Sequence, residues 1–295
     1  MKPIRIMAVS GMLGYGFTEE AFRRGLDLGL DLIACDAGSA DPGPYYLGNG
    51  SAFVSRLATK RDLELMVTAG IELGVPVFVG SAGGSGADVQ IDWTLDILRE
   101  ICVEHHLTPS VAVLRSEIDK DTLRAKVREG RTSPLGPIAP LTEAEVDAAH
   151  RVVAMMGAEP YQQALEAGTD IVIAGRSSDA AIYAAIPVLL GADPGLAWHM
   201  GKIIECGAQV IEPREGQDCV VGTLYDDHFT VEPGHPSGVA PVPAWRRIPC
   251  TRTRALIISR NRMACWIQAT PVSSRSMSAP SAFPAAGGCR RNAIR

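Results

Sequence analysis

Val75-Pro-Val-Phe-Val-Gly80-Ser-Ala-Gly-Gly-Ser-Gly86 is a short β-branched and aromatic run that stops in a cluster of glycines and serines, and a helix-period segment over 88–105 follows it. An apolar run this short suits a strand buried on both faces, and the glycines and serines after it mark a turn. The same unit recurs along the chain. Residues 4–10 lead into Gly11-Met-Leu-Gly14-Tyr-Gly16 and a helix carrying Phe22 and Leu26. Residues 30–34 lead to Cys35-Asp36-Ala-Gly38 and a long loop over 39–50, after which a helix over 60–73 stops at Gly74. Beyond the quoted stretch come a strand over 111–114 with Glu117 just past it, a helix over 120–129 and a Pro/Gly connection over 133–140. A strand over 152–156, a helix over 161–167, a strand over 171–174 and an alanine-rich helix reaching Leu190 follow. Alternating short strands and helices predict an α/β fold, a doubly wound and mostly parallel sheet with helices on both faces.

The composition agrees with that reading. The chain has 295 residues, 46% of them hydrophobic and only 5% aromatic, with 30 Gly and 20 Pro for tight connections. No apolar run reaches the roughly 18–20 residues of a membrane helix. The amino terminus lacks the apolar stretch and cleavage site of a signal peptide, so a cytoplasmic location is expected. Seven scattered cysteines with no CxxC spacing argue against a disulfide framework or a structural zinc site. Charge is unevenly spread. Residues 1–245 hold 18 Lys+Arg against 33 Asp+Glu, a balance of −15, whereas residues 246–295 hold ten Arg and no acid. The acidic body makes nucleic acid an unsuitable partner.

In sheets of this kind a site lies outside the carboxyl ends of the strands. Polar residues gather there: Asp36, Ser81, Ser85, Glu117, Glu159, Arg176 and Asp179. The loop Ser81, Gly83, Gly84, Ser85 and Gly86 follows a strand and precedes a helix, a setting that suits a phosphate or carboxylate. It is not a P-loop, because GxxxxGK(S/T) is absent, nor a dinucleotide fingerprint, because the required third glycine is Val89 here and Glu19 in the first glycine loop. Gly175-Arg176-Ser-Ser-Asp179 sets a guanidinium three residues from a carboxylate; Asp179 either orients the arginine or caps the next helix. Along 196–206, spacings of three put His199, Lys202 and Glu205 on one helix face, an acid/base cluster if that face lines the cleft, with Cys206 beside Lys202. Asp88 and Asp226-Asp227-His228 are within the repertoire of hard-metal ligands, but their spacing requires no metal, and no cofactor is read from the residues.

Several phrases taken together carry a resemblance. They are Asp36-Ala-Gly-Ser-Ala-Asp-Pro-Gly-Pro-Tyr-Tyr-Leu-Gly48, Gly80-Ser-Ala-Gly-Gly-Ser-Gly86, Met156-Gly-Ala-Glu-Pro160, Ile173-Ala-Gly-Arg-Ser-Ser-Asp179, and Ala197-Trp-His199 through Glu205-Cys-Gly-Ala208. Over roughly residues 4–233 the chain resembles the acyclic terpene utilisation, or AtuA-like, family. The resemblance implies a cytoplasmic α/β protein of terpenoid or organic-acid catabolism, often accompanied by a small partner subunit. It implies no agreed reaction and no agreed catalytic residues.

After Pro233 the family pattern stops, and the chain becomes rich in Arg, Ser, Ala and Pro. Joining the last base of each codon to the first two of the next permits, from Val242 onward, a charge-balanced text. That text contains the family-like phrase serine-valine-alanine-alanine-histidine-threonine-leucine. The expectation is therefore an α/β domain over 1–240 that is truncated at its carboxyl end, then a frameshifted, disordered tail over 241–295. For function the residues point to an enzyme, or enzyme subunit, acting on a small carboxylate or acyl-CoA thioester, with hydration or dehydration as a fitting chemistry. Arg176 and the Gly80 loop hold the anion, and Asp36, Glu117, Glu159, Asp179, His199 and Lys202 are the candidates for proton transfer. The alternatives are a non-catalytic subunit that binds a small partner protein, and an inactive frameshifted product.

Overall fold

The computed structural model describes residues 2–38, 43–134, 136–213 and 217–240, and the backbone of short strands at 255–260, 262–267 and 292–293. The junction near Pro241 and most of the basic tail lie outside the described residues. Up to residue 240 the strands are β1 (Ile4–Ala8), β2 (Leu32–Asp36), β3 (Val77–Gly80), β4 (Ser110–Leu114), β5 (Ile171–Ala174), β6 (Val220–Leu224) and β7 (Phe229–Pro233). The helices are α1 (Glu19–Leu26), α2 (Gly43–Asn49), α3 (Arg56–Leu73), α4 (Asp88–Glu104), α5 (Lys120–Arg128), α6 (Glu143–Ala148), α7 (Glu159–Glu166), α8 (Ala181–Leu189) and α9 (Pro194–Ile204). Over these strands the sheet runs β4-β5-β3-β2-β1-β6-β7; β4 to β1 are mutually parallel, and β6 and β7 extend it past β1 as an antiparallel hairpin. The strands at 262–267 and 255–260 continue it past β7, while 292–293 pairs with β4. The α/β architecture with a mostly parallel sheet is therefore as the sequence predicts.

Successive residues of each parallel strand enter opposite cores, as a two-residue repeat demands. Ile6, Leu32, Phe78 and Val172 join one apolar cluster with Tyr161 of α7, Ile182 and Tyr183 of α8, and Met200 of α9. Met7, Ile33, Val79 and Ile173 join the other with Phe22 of α1, Leu63 of α3, and Ile91 and Leu98 of α4. Burial on both faces is why these strands read as unbroken apolar runs. Crossovers between parallel strands keep one hand, so stepping from β1 through β3 stacks α1, α3 and α4 on one face. The return path stacks α7, α8 and α9 on the other. Adjacent strands β3 and β5 therefore send their following helices to opposite faces, which defines a topological switch point at their carboxyl ends.

Two sequence expectations change. Residues 152–156 form no strand: Val153 makes one bridge to Glu117 and Met156 one to Ser177, so the segment lies across strand ends where no ladder can continue. Within the loop expected over 39–50, α2 is a short helix.

The first glycine loop has an internal anion. Buried Asp62 of α3 accepts from the backbone N–H groups of Gly14 (2.9 Å) and Gly16 (3.0 Å), while Arg61 binds its other oxygen at 2.8 Å. Both glycines have φ near +90° (93° and 83°), a conformation that non-glycine residues rarely adopt. Asp62→Ala would strand two N–H donors and is expected to destabilise the fold by about 3 kcal/mol. A urea midpoint equal to that of the unaltered protein would refute this anchoring role.

Candidate functional site

At the switch point, side chains from three strand ends converge. Asp36 ends β2, Ser81 follows β3 at a left-handed φ of 48°, and Arg176 follows β5. Arg176 Nη1 donates to Ser81 Oγ at 3.1 Å and Nη2 to Asp179 Oδ1 at 3.1 Å. Lys202 of α9 lies 3.7 Å from Asp179 Oδ2 and binds Glu205 Oε1 at 2.6 Å. Beneath this layer the Tyr161 hydroxyl meets Ser177 Oγ at 2.7 Å, and Ser177 Oγ donates to Gly175 O at 2.9 Å.

Asp36 is the chemical centre of the group. It is 2% exposed, and neither carboxylate oxygen meets a hydrogen-bond partner in good geometry. Burial and the negative charge of Asp179 push its carboxyl up to about 8; Arg176 and the nearby Ser81 hydroxyl offset part of this, and Glu205 adds to it. A carboxyl group titrating near neutral pH is poised to take or give a proton. With Asp36 protonated, Arg176 and Lys202 balance Asp179 and Glu205; once it ionises, the cluster carries an excess negative charge. Lys202 is drawn down by burial, but Glu205 and Asp179 outweigh this and raise it, so it stays a cation. Cys206 is pushed up to about 12 by burial and by Glu205, so its neighbour Lys202 does not make it a thiolate. Burial also raises the hydroxyls of Tyr161 and Tyr183, which therefore stay protonated.

Of the residues expected at the site, the structure thus brings together Asp36, Ser81, Arg176, Asp179 and Lys202. Glu117 instead accepts from the N–H of Asp88 at 2.9 Å, at the start of α4. Glu159 is exposed at the start of α7, with its carboxylate turned towards Gly157. His199 packs edge-on against Phe229 of β7 (5.4 Å between centroids), and burial lowers its pKa, so its ring is neutral. Its Nδ1 has no partner. The loop amides bond within the protein: Gly84 N to Ser81 O, Gly86 N to Ala82 O, and Ser85 N and Ala87 N to Gln90 Oε1. A Cβ on Gly83 would lie 2.6 Å from Gln90, so that residue serves close packing. Asp179 orients Arg176 and does not cap α8, whose N-cap is Ala180 without a side-chain bond. Sequence reasoning did not single out Tyr161, Ser177 or Ser116. Ser116 Oγ accepts from Arg176 N at 2.6 Å and donates to Gly86 O at 3.1 Å. The available signal for Tyr161 was a hydroxyl on an otherwise apolar helix face.

Elsewhere among the described residues, Glu64, Glu104 and His105 bring ligand atoms within 4.8 Å of one another. Lys60 already bridges Glu100 and Glu104 there, at 2.6 and 2.7 Å. A groove of about 410 Å3, lined by Pro76, Pro109, Gly168 and Asp170 among others, opens at the opposite, amino end of the strands. It has no part in the cluster.

Fold and cluster together define an α/β protein with a buried carboxyl group and a guanidinium at the switch point of a mostly parallel sheet. Residues 81–216 match the family model described as acyclic terpene utilisation family protein AtuA, so the resemblance carried by the sequence phrases is shown over that span. The match supports a terpene utilisation-related protein. It includes Ser81, Arg176, Asp179 and Lys202, whereas Asp36 lies outside it. No curated protein and no solved structure matches the chain. No helix of the described residues is long and apolar enough to cross a membrane.

Proposed function

We propose that the cluster around Asp36 is the active site of an enzyme that adds water to, or removes it from, a small carboxylate or its acyl thioester in terpenoid or organic-acid breakdown. The observation that carries this reading is Asp36 itself, a buried carboxyl group without a well-formed hydrogen bond, beside Ser81 and a fixed guanidinium. Burying a neutral carboxyl group so poorly bonded costs about 1–3 kcal/mol, and buried polar groups of this kind gather at functional sites. In this reading the ionised Asp36 takes the proton from the carbon next to the substrate's carboxyl group and passes it to the departing 3-hydroxyl, which leaves as water; in hydration it takes a proton from the attacking water and returns it to that carbon. Arg176, held by Ser81 and Asp179, takes up the negative charge that grows on the substrate oxygen, and Lys202 strengthens that field. Because the amides of Ser81, Ala82, Gly84, Ser85 and Gly86 are bonded within the protein, anchoring of the anion is assigned to Arg176.

The test is turnover of short 3-hydroxy acids, the corresponding enoates and their thioesters, followed by exchange of the α-hydrogen with solvent deuterium. Arg176→Gln is expected to lower kcat/KM about tenfold or more while circular dichroism stays unchanged. Full activity in this variant, or no α-exchange with any substrate of the panel, would sink the proposal.

A further inference from the structure

We infer that Asp179 holds the seat of the substrate's own carboxylate, so that the site takes a free acid bridged between Arg176 and Lys202. This rests on the proposed catalytic role of the cluster. Asp179 touches both cations, one with each oxygen: Oδ1 is 3.1 Å from Arg176 Nη2 and Oδ2 is 3.7 Å from Lys202 Nζ. That is the placement a bound carboxylate would adopt between a guanidinium and an ammonium. The three side chains are the accessible layer of the cluster, at 14% exposure for Arg176, 32% for Asp179 and 35% for Lys202, above the buried Asp36.

Among the described residues the Asp179 carboxylate is held by these two cations alone. The residue sits in the turn before α8, and no backbone N–H among the described hydrogen bonds holds its carboxylate. Removing it from the cations would leave Arg176 with Ser81 and Lys202 with Glu205, one uncompensated positive charge for an incoming anion to cover. A substrate carboxylate in the same seat keeps the same negative charge beside Asp36, so binding leaves the proton where the reaction needs it. A thioester carbonyl bears no net charge and cannot make this exchange. The tethered carboxylate acts at a high effective concentration, so a minimal acid such as acetate competes poorly with it, and the rest of a true substrate must supply the difference.

The experiment titrates acetate into the full chain and into Asp179→Ala, Asp179→Asn and the double variant Asp179→Ala/Arg176→Gln, by calorimetry and by the acetate-dependent rise in melting temperature. Both single variants are expected to bind acetate at least tenfold more tightly than the unaltered protein, and the double variant to lose the gain. Single variants that fold yet bind acetate no better than the unaltered protein would overturn the inference, as would variants that acetate cannot stabilise. The two readings separate cleanly. Tight acetate binding by the variants with no turnover in the unaltered protein removes the reaction and keeps the seat. Turnover that depends on Asp36, with no gain in acetate binding, does the reverse.

Discussion

Asp36→Asn is expected to abolish turnover while stabilising the folded protein at and above neutral pH. The two effects have one cause. Asp36 ends β2 inside the protein, 2% exposed, with no well-formed hydrogen bond to either oxygen and with Asp179 and Glu205 near enough to oppose its ionisation. Its carboxyl is pushed from 3.8 up to about 8. The folded protein therefore keeps this proton at pH values where the unfolded chain has released it. Stability from this group is fully present below pH 4 and falls as pH rises towards 8, by about 1.4 kcal/mol for each pH unit crossed. Asparagine has nearly the same shape and no charge to bury, so the variant lacks this slope. The melting temperature of Asp36→Asn minus that of the unaltered protein should accordingly grow from pH 4 to pH 8. Over the same range turnover should be at least about a hundredfold lower, since the proton carrier is gone. A difference in melting temperature that does not change with pH would show that Asp36 ionises normally, and the proposed chemistry would lose its centre.

The legible parts of the molecule are those whose local pattern and tertiary setting agree. Residues 77–80 and 171–174 are apolar on both faces because both faces are covered, and β3 and β5 fall where the runs predict them. Residues 152–156 are just as apolar, but they cross the strand ends and are only half buried, with Met155 exposed; what they lack is a neighbouring strand, which a sequence window cannot reveal. The hairpin of β6 and β7 has no counterpart in the sequence reading. Gly222 interrupts its first strand, and what shapes the hairpin is the edge of β1, which is some two hundred residues away along the chain. At the site, Asp36, Ser81, Arg176 and Asp179 were legible because strand ends are the place where such a fold can expose chemistry. Lys202 was legible from helical spacing alone. Glu117 and Glu159 satisfy the same positional rule and stand apart, because whether a carboxylate faces a helix end, solvent or a neighbouring guanidinium is decided by loop paths. Tyr161 and Tyr183 were hidden for the opposite reason: both are fully buried, and a buried tyrosine reads as core until its hydroxyl is located.

The sharpest structural test of the site concerns a glycine with no role in binding. Gly86 resembles part of a phosphate cradle in the sequence, yet a Cβ there would lie 2.0 Å from Arg176 N and 2.5 Å from Gly175 C. What it allows is the contact of two backbones. The loops after β3 and β5 touch at this point, stitched by Ser81 N to Gly175 O (3.0 Å) and Ala82 N to Ala174 O (2.9 Å), with Ser116 bridging Gly86 O and Arg176 N. Neither partner is a flexible side chain, so Gly86→Ala must part the loops and break buried hydrogen bonds. The backbone also holds the alanine in the left-handed region, at φ 72°. Left-handed strain of about 1–2 kcal/mol, overpacking of about 1–3 kcal/mol and the broken bonds together give a loss of about 4 kcal/mol or more. For a domain of this size that lowers the melting temperature by roughly 10 °C, and Arg176 moves with its backbone, so turnover falls too. Gly168→Ala supplies the control: its φ is 71°, but nothing lies within 4 Å of the added methyl group, so it carries the conformational cost alone. Melting curves for the two variants decide the matter. If Gly86→Ala loses no more than Gly168→Ala, the loops are not in contact, and the guanidinium is not held where the proposed chemistry requires it.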